Sequence, residues 1–371
     1  MKICYVANSR FPSERAHMTQ IVQMCNAFAS CGHEVVLYVT NRKTDVTESP
    51  EIFFGVPLHF RVERVPVLDI AGHSPHIPRI LRPPLFMFQR IMFAWNASRH
   101  MRAQMFDLVY GRDEWVLWLF TFFVRTRIVW ESHEARYSFA GKMLLKRHTP
   151  LVVIYEGIRD FYVAKGIQKN IILVAHDAVD DRFFSPHVSM DVAREFLHIV
   201  AQNPVIMYIG GLEGWKGAET LCRAGEEQSM FEVYIVGGKE KEISLLRAKY
   251  PKVHFLGQYP YRELPTVQQS ADILVIPNTA KDVVSEKYTS PLKLFAYMTS
   301  KKPIVASNVS SITNVLTQEE VSFFTPDDPR SLQEVIVEVL KNPELGERKA
   351  VRAYEKSVLY TWHNRAKVIC D

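Results

Sequence analysis

The chain has 371 residues, of which 47% are hydrophobic and 23% are charged, so it is long enough for two domains and has an ordinary globular composition. It has no long tract of proline, glycine or serine and no repeated unit, which argues against a disordered chain and against a solenoid. The formal net charge is only +5, but the charges are unevenly spread along the chain.

The first half of the sequence predicts a doubly wound α/β domain. Residues 2–7 have the pattern of a strand, and residues 18–29 have helical spacing. A buried strand follows at 35–39, which completes a βαβ unit and implies a parallel sheet with a right-handed crossover. Further strands are predicted at 108–110, 128–130, 151–155 and 171–174.

One interval of the first half has no negative charge, because no acidic residue lies between Asp69 and Asp107. The interval carries five arginines among large apolar side chains: Arg79, Arg82, Arg90, Arg99 and Arg102. This mixture suits an anionic membrane surface, so we expect peripheral contact through residues 77–105. A buried helix with peripheral arginines is the alternative, since the arginines do not share one helical face. Nucleic acid is not expected, because no recognisable nucleic-acid module accompanies the arginines.

Polar residues follow the strand 128–130 at the point where it ends. Ligands of doubly wound sheets bind beyond the carboxyl ends of strands, so we expect Glu131, His133 and Glu134 to lie at a site. His133 could share a proton or bond a sugar hydroxyl, and a purely structural histidine is the alternative. Further candidates for the same site are Ser13, Glu14 and His17 in the first loop, and Arg112.

The second half repeats the same rhythm after a composition shift at 180–186, which predicts a linker. Its predicted strands are 205–209, 233–236, 254–256, 273–276 and 304–306, and its helices include 216–229, 240–249 and 262–270. These elements predict a second doubly wound domain. The cleft between two such domains is the default place for a ligand.

A glycine-rich segment at 210–217 follows the strand 205–209. Gly210 and Gly211 would let the backbone approach a ligand closely, and Lys216 would add a positive charge. The segment is not a Walker A loop, in which lysine directly follows glycine and precedes serine or threonine. A glycine turn with an exposed lysine is the alternative.

A helix start at 290–293 predicts a second anion site in the same half. The hydroxyl of Thr289 or Ser290 can cap the helix, and Pro291 suits its first position. Lys293 in the first turn opposes the helix dipole by up to about 1 kcal/mol, so its position favours a neighbouring anion over a solvated lysine. Together with Lys216, this helix start suggests a site for a diphosphate.

The remaining patterns limit the chemistry. Tyr259 follows the strand 254–256, where its ring could lie against a base or merely cover the edge of the core. There is no Asp-x-Asp pair and no cluster with metal-ligand spacing, so we expect no metal and no cofactor. No Gly-x-Ser-x-Gly segment occurs either.

The cysteines indicate a reducing compartment. They are odd in number and form no Cys-x-x-Cys pair, which argues against a disulfide framework and a zinc site. Met1 leads directly into the first strand, leaving no room for a signal peptide, and the apolar run 115–124 is too short to span a bilayer. We therefore expect a cytoplasmic protein.

These residues resemble the retaining glycosyltransferases of family 4, glycosyl transferases group 1 with the GT-B fold. The resemblance covers nearly the whole chain, and it rests on residues 16–17, 32–35, 131–134, 210–217, 255–257, 271–277, 290–298, 302–307 and 360–362. It implies two Rossmann-like domains that face a central cleft. Residues 1–180 would form the acceptor domain, 181–352 the donor domain, and a helix at about 353–371 would return to the first.

The resemblance also implies an activity: metal-independent transfer of a sugar from a nucleotide-sugar to a glycan or lipid-linked acceptor, with retention, in glycan or cell-envelope assembly at the inner face of the membrane. Lys216 and the helix start would stabilise the departing diphosphate, and His133 would bond the donor sugar or its surroundings. Donor-binding residues would be Gly210, Gly211, Ser290, Pro291, Leu292, Lys293, Tyr259 and Glu286. Acceptor-side residues would be Ser13, Glu14, His17, Arg112 and Glu134.

Two positions depart from the family pattern. Gly211 stands where relatives carry arginine, and Ala296 stands where relatives carry the glutamate that holds the ribose. Tyr288 replaces the acidic residue eight positions earlier, and Glu286 is nearby but out of register. Loss of such a ribose contact typically costs about 1–3 kcal/mol of binding. A catalytically silent GT-B binding protein or partner subunit is therefore one alternative, and a GT-B enzyme that epimerises nucleotide sugars is another.

Overall fold

The computed structural model describes residues 1–13, 16–69, 80, 82–185, 188–290 and 292–371. This part of the chain divides into two compact units. The first consists of Met1–Ala175 together with Trp362–Asp371, and the second is His176–Thr361. The predicted domains change instead after residue 180, and of the returning segment predicted at about 353–371 only the part from Trp362 onward belongs to the first unit.

Each unit is built on one parallel sheet. The first sheet contains β1 (Lys2–Ala7), β2 (Glu34–Thr40), β3 (Arg61–Val65), β4 (Leu108–Gly111), β5 (Arg127–Ser132), β6 (Leu151–Val153) and β7 (Ile172–Val174). The second contains β8 (Val205–Ile209), β9 (Glu232–Val236), β10 (His254–Gly257), β11 (Ile273–Ile276), β12 (Ile304–Ser307) and β13 (Ser322–Phe324).

Helices alternate with the strands along the chain. They are α1 (Ala16–Ser30), α2 (Pro50–Phe54), α3 (Arg82–Arg102), α4 (Glu114–Phe123), α5 (Phe139–Lys146), α6 (Glu156–Ala164), α7 (Met190–Phe196), α8 (Ala218–Glu226), α9 (Glu240–Lys249), α10 (Leu264–Gln269), α11 (Val283–Lys287), α12 (Leu292–Met298), α13 (Ser310–Thr313), α14 (Pro329–Lys341), α15 (Pro343–Ser357) and α16 (Trp362–Cys370). Among the helices described, none is long and apolar enough to cross a membrane.

The strand order confirms the predicted fold class of two doubly wound parallel sheets. The first sheet has the order β3-β2-β1-β4-β5-β6-β7, and the second has the order β10-β9-β8-β11-β12-β13. The order changes direction between β1 and β4 and again between β8 and β11. Ligands of such sheets bind outside the carboxyl ends of the strands at this switch point, so each unit has its own expected site.

The second sheet buries both of its faces. Successive side chains of a strand point to opposite faces, and β8 shows this alternation. Met207 packs in the core cluster on one face, and Tyr208 packs in the cluster on the other. A strand buried on both sides appears in sequence as a continuous apolar run, which is why 205–209 could be predicted as a strand.

Aspartate caps begin several of the helices that follow the strands. The Asp113 carboxylate accepts hydrogen bonds from the backbone N–H groups of Trp115 and Val116 and begins α4. Asp282 begins α11 and Asp328 begins α14 in the same way. Each cap satisfies backbone donors that have no partner inside the helix and typically contributes about 1 kcal/mol.

The segment after β8 differs from its prediction. A helix was expected at 216–229, but α8 begins at Ala218, because residues 214–216 form a 3₁₀ turn and Gly217 adopts a φ of 71°. A side chain at this position would be strained, and its Cβ would collide with the Pro277 carbonyl group. Lys216 therefore lies on a loop at the end of the sheet rather than on a helix.

Candidate functional site

The first unit has a cavity of about 380 Å³ at the carboxyl ends of β1, β4 and β5. Its lining includes five of the predicted residues, namely His17, Arg112, Glu131, His133 and Glu134. Ser13 is described but does not line the cavity, and Glu14 lies outside the described residues. The structure thus brings together side chains from three separate predicted segments.

Glu131 lies at the centre of a charged network in this cavity, and its side chain is fully buried at the end of β5. Its Oε1 is 2.9 Å from Arg112 Nη2 and 3.3 Å from Arg365 Nη2. Its Oε2 accepts hydrogen bonds from the Tyr110 hydroxyl and, at 3.4 Å, from Arg365 Nη1. His133 Nε2 is hydrogen-bonded to Oε1. Four neighbours therefore hold one carboxylate.

The charge state of Glu131 follows from these neighbours. Burial alone would raise the pKa of the carboxyl, but Arg365, Arg112 and His133 together hold that pKa well below its usual range. Burial and the neighbouring Glu131 raise the pKa of Tyr110 well above its usual value, so the phenol remains a donor. A buried anion of this kind is tolerated only while it is paired and hydrogen-bonded.

Glu131 also determines how the imidazole of His133 is presented. An ionised carboxylate can only accept, so the hydrogen between the two groups belongs to Nε2 of His133. A histidine oriented by a carboxylate can bond a hydroxyl group or take part in proton transfer. The geometry therefore gives His133 a defined orientation in the cavity.

Further polar groups in the cavity wall are fixed by their neighbours. The Nε2 atom of His17 is 3.1 Å from the Ser9 hydroxyl oxygen. Arg112 Nη1 donates to Gln20 Oε1 at 2.9 Å. Donors and acceptors arranged around a cavity suit a ligand with many hydroxyl groups.

The second unit holds two lysines against the glycines that follow β8. A Cβ at Gly210 would lie 2.8 Å from the Nζ atom of Lys293, and a Cβ at Gly211 would lie 2.7 Å from the Nζ atom of Lys216. Both amino groups therefore occupy space that a larger residue would fill. The two lysines come from the two segments for which the sequence suggested one diphosphate site.

The two amino groups have different direct partners. Lys216 Nζ is 2.9 Å from Glu213 Oε2. Lys293 Nζ donates to the Tyr208 hydroxyl oxygen at 2.7 Å, and that hydroxyl donates to the Gly211 carbonyl oxygen at 2.7 Å. Burial and the nearby charge of Lys216 lower the pKa of Lys293 well below its usual value, and Glu213 opposes them. An added anion would relieve this repulsion.

A cavity of about 260 Å³ adjoins the same glycines at the carboxyl ends of β8, β9 and β10. Its lining includes Gly210, Gly211, Gly237, Gly238, Gln258 and Tyr259. Gly237 has a φ of 106° and Gly238 a φ of 85°, conformations that favour glycine. Glycine backbone and one aromatic ring are thus part of the lining of a space where a flat base could lie.

The predicted helix start is only partly described. Leu292 begins α12, and Pro291 lies outside the described residues. The Ser290 hydroxyl oxygen accepts a hydrogen bond from the backbone N–H of Asp177 at 3.3 Å. In this unit, the side chain of Lys293 provides the clearest evidence for an anion site.

Glu286 does not take the place of the acidic residues that the family resemblance implies at positions 288 and 296. Glu286 lies on α11, where its Oε2 is 3.6 Å from Lys287 Nζ, and it does not line the cavity beside Gly210. Ala296 lies on α12 and packs, partly buried, against the core. Glu286 and Ala296 therefore occupy different helices.

Sequence reasoning missed four residues of these networks. Tyr110 and Tyr208 lie within predicted strands, where each was counted only as core. Glu213 lies in the glycine-rich loop without a distinguishing pattern. Arg365 is 234 residues from Glu131 in sequence, and no local signal relates the two. Its guanidinium reaches the Glu131 carboxylate because α16 packs against α1.

The second unit matches a known family. Residues 203–342 match the family model described as Glycosyl transferases group 1. The D-inositol 3-phosphate glycosyltransferase of Corynebacterium diphtheriae is 26% identical over 188 residues, which are 46% of this chain and 42% of that protein. The match therefore spans less than half the length of this curated relative.

Solved structures are similar to the whole chain. A glycosyltransferase from Rickettsia africae aligns with a TM-score of 0.77 and 13% identity, covering 100% of this chain and 96% of its own. Sucrose-phosphate synthase from Thermosynechococcus elongatus aligns with a TM-score of 0.75 and 17% identity, and the alignment covers 100% of this chain and 97% of that protein. Anabaena HepE in complex with UDP and glucose aligns with a TM-score of 0.75 and 16% identity, and the alignment covers 100% of this chain and 98% of that protein. Identities this low show a shared fold. The match to the group 1 glycosyl transferases is confined to residues 203–342, and the similar structures show the GT-B fold.

The pairing of Arg365 with Glu131 can be tested by protein stability. We expect Arg365→Met to lower the free energy of unfolding by about 3–5 kcal/mol, because it leaves a buried carboxylate with too little compensation. Urea denaturation at neutral pH measures the loss. Arg352→Met is the control, since Arg352 pairs with Glu319 on the surface, where such pairs contribute about 0–1 kcal/mol. Equal losses of unfolding free energy in the two variants would contradict a stabilising pairing of Arg365 with Glu131.

Proposed function

We propose that the protein transfers a sugar from a nucleotide-sugar donor to a glycan or lipid-linked acceptor, with retention of configuration at the sugar. The observation that carries the proposal is the convergence of Lys216 and Lys293 on the Gly210–Gly211 backbone. These residues lie in the part of the chain that matches the group 1 glycosyl transferases. A family match, a positively charged site and an adjoining cavity together support a nucleotide diphosphate as the ligand.

In the proposed reaction, the bond between the sugar and the diphosphate breaks and its electron pair goes to the departing phosphate oxygen. Positive charge develops on the sugar, and the two lysines stabilise the negative charge on the leaving group. Fixed groups stabilise such charge most effectively when they need not reorganise during the reaction. Tyr208 and Glu213 hold Lys293 and Lys216 in place before the donor arrives. We assign charge neutralisation to these lysines rather than to a metal or cofactor.

The acceptor hydroxyl is proposed to attack the sugar from the side on which the diphosphate departs, and its proton passes to the departing oxygen. This route needs no nucleophile from the protein. In the first unit, His133 would bond a sugar hydroxyl, and Arg112 and His17 would hold acceptor groups. The polar lining of their cavity supports this role.

We place the reaction in the cytoplasm, at the inner face of the membrane, in glycan or cell-envelope assembly. The five cysteines are free thiols, in keeping with a reducing compartment. UDP-sugars are the first donors to test, because a structure similar to this chain was solved with UDP and glucose.

Removing the Lys216 amino group tests the donor site. We expect Lys216→Ala to abolish nucleotide-sugar binding and turnover, because the remaining lysine cannot balance the diphosphate alone. A thermal-shift panel of nucleotide sugars followed by donor hydrolysis measures both effects. Lys241→Ala is the control, since Lys241 is exposed on α9, and it should behave as the wild type. If no nucleotide sugar in the panel raises the melting temperature of the wild type, the proposal fails. Conversion of the donor into its epimer without an acceptor would instead indicate epimerisation.

A catalytically silent GT-B binding protein is the second candidate function, and Ala296 favours it. If the donor ribose lies beside α12, Ala296→Glu should tighten UDP binding by about 1–3 kcal/mol, or roughly five- to 150-fold. Isothermal titration calorimetry measures the affinity, and Ala296→Gln controls for the larger side chain. Equal affinities of the Glu and Gln variants would contradict a ribose contact at this position.

Proton uptake on binding tests the role of Lys293. Its pKa is lowered well below the usual value in the unliganded protein, and a bound diphosphate favours the charged amine. Binding should therefore raise this pKa and take up a proton at pH values between the lowered and the raised pKa, and affinity should fall as the pH increases through this range. Titrating UDP in buffers of different ionisation enthalpy from neutral to alkaline pH measures the uptake. Lys293→Met should remove it, and uptake that persists in this variant would contradict the assignment.

A further inference from the structure

An aromatic surface extends over α3, α4 and α5 of the first unit. The Trp118 ring lies 5.3 Å from Phe122 and 5.4 Å from Phe139, centroid to centroid. On the other side of α4, Phe123 lies 5.2 Å from Trp95 of α3. We call this surface the aromatic face, and we define it by Trp95, Trp115, Trp118, Phe122, Phe123 and Phe139.

Much of the aromatic face is open to solvent. The exposed fractions are 57% for Phe122, 56% for Phe139 and 45% for Trp95. Phe88 and Ile91 are also exposed, and they precede Trp95 by seven and four residues on α3, which places all three on one side of the helix. Single exposed apolar residues are common, but a contiguous exposed patch marks a binding surface.

The same three helices present cations and no exposed carboxylate. α3 and α5 contain no acidic residue, and Glu114, the one acidic residue of α4, is buried and pairs with Arg136. Exposed cations on or next to these helices are Arg99, Arg125, Arg127, Lys142, Lys146 and Arg147. Among the described residues, none of these six cations forms an ion pair.

The cations border the aromatic residues. Arg99 follows Trp95 by four residues, and Lys142 follows Phe139 by three, spacings that place each pair on one side of its helix. The guanidinium carbon of Arg147 lies 5.3 Å from the centre of the Phe122 ring. The aromatic face is therefore an apolar surface with a cationic border.

We propose that the aromatic face docks onto an anionic lipid bilayer. Tryptophan and other aromatic rings favour the headgroup level of a membrane, and each nearby cation adds about 1 kcal/mol of attraction to acidic lipids. A second copy of the chain fits less well, because a symmetric contact would bring one cationic border against another. This docking does not depend on sugar transfer, since a protein without activity would dock in the same way.

This surface differs from the one expected from the sequence. Contact was predicted through residues 77–105, of which 77–79 and 81 lie outside the described residues. In the structure, α3 buries Phe93 and Ala97 on one side and exposes Trp95 on another, so it is neither wholly buried nor the whole surface. The centre of the aromatic face is α4.

Vesicle flotation tests the proposal. We expect the protein to float with vesicles of phosphatidylcholine and phosphatidylglycerol, to float weakly with phosphatidylcholine alone, and to be released by salt. Phe122→Ser/Phe139→Ser should lower the bound fraction at least about tenfold through lost apolar burial. Lys142→Glu/Arg147→Glu should abolish the preference for the acidic lipid. Leu245→Ser is the control, since Leu245 is exposed in the second unit and should have no effect.

A spectroscopic readout locates the contact independently. Brominated lipids in the anionic vesicles should quench tryptophan fluorescence, and Trp95→Phe/Trp118→Phe should lose most of that quenching. Urea denaturation establishes that each variant is folded. Three outcomes would overturn the proposal: flotation that the serine variant leaves unchanged, a lipid-free dimer that the serine variant dissociates, or RNA binding through this face without lipid binding.

Discussion

The parallel arrangement of both sheets is the constraint on which both candidate sites depend. Parallel strands all end at the same edge, so residues from distant segments meet there without any local pairing signal. In the first unit this edge gathers Glu131 and Arg112, and in the second it gathers Gly210 and the Lys216 loop. Both sites are subject to the same physical requirement, because charged groups that are buried away from water must be paired or hydrogen-bonded.

The two units meet this need in opposite ways. In the first, the buried carboxylate of Glu131 is bound by two guanidinium groups, a histidine and a phenol. These four partners fix the position of the carboxylate. In the second, Lys216 pairs with Glu213 while Lys293 bonds the neutral Tyr208 hydroxyl, so positive charge remains only partly balanced. The first arrangement suits the positioning of a side chain, and the second suits the capture of an anion.

Local patterns predicted much of the architecture, because strand and helix periodicity depend on nearby residues. The strand 2–7 and the helix 240–249 were predicted with the bounds that the structure shows. The loop before α8 was not, because the collision that requires Gly217 involves a carbonyl group 60 residues further along the chain. The role of Tyr208 was missed for a related reason, since a tyrosine in a buried strand has the same pattern whether or not its hydroxyl holds a lysine.

The position of Arg365 near the end of the chain has a consequence for biosynthesis. Domains generally fold as units, with the N-terminal one first as the chain leaves the ribosome. Here the first unit is translated early but remains incomplete, because Glu131 gains one of its two guanidinium partners only when α16 has been synthesised. Final consolidation of the N-terminal unit therefore comes after translation of the second. A stop codon shortly before Trp362 would damage the unit that is encoded first.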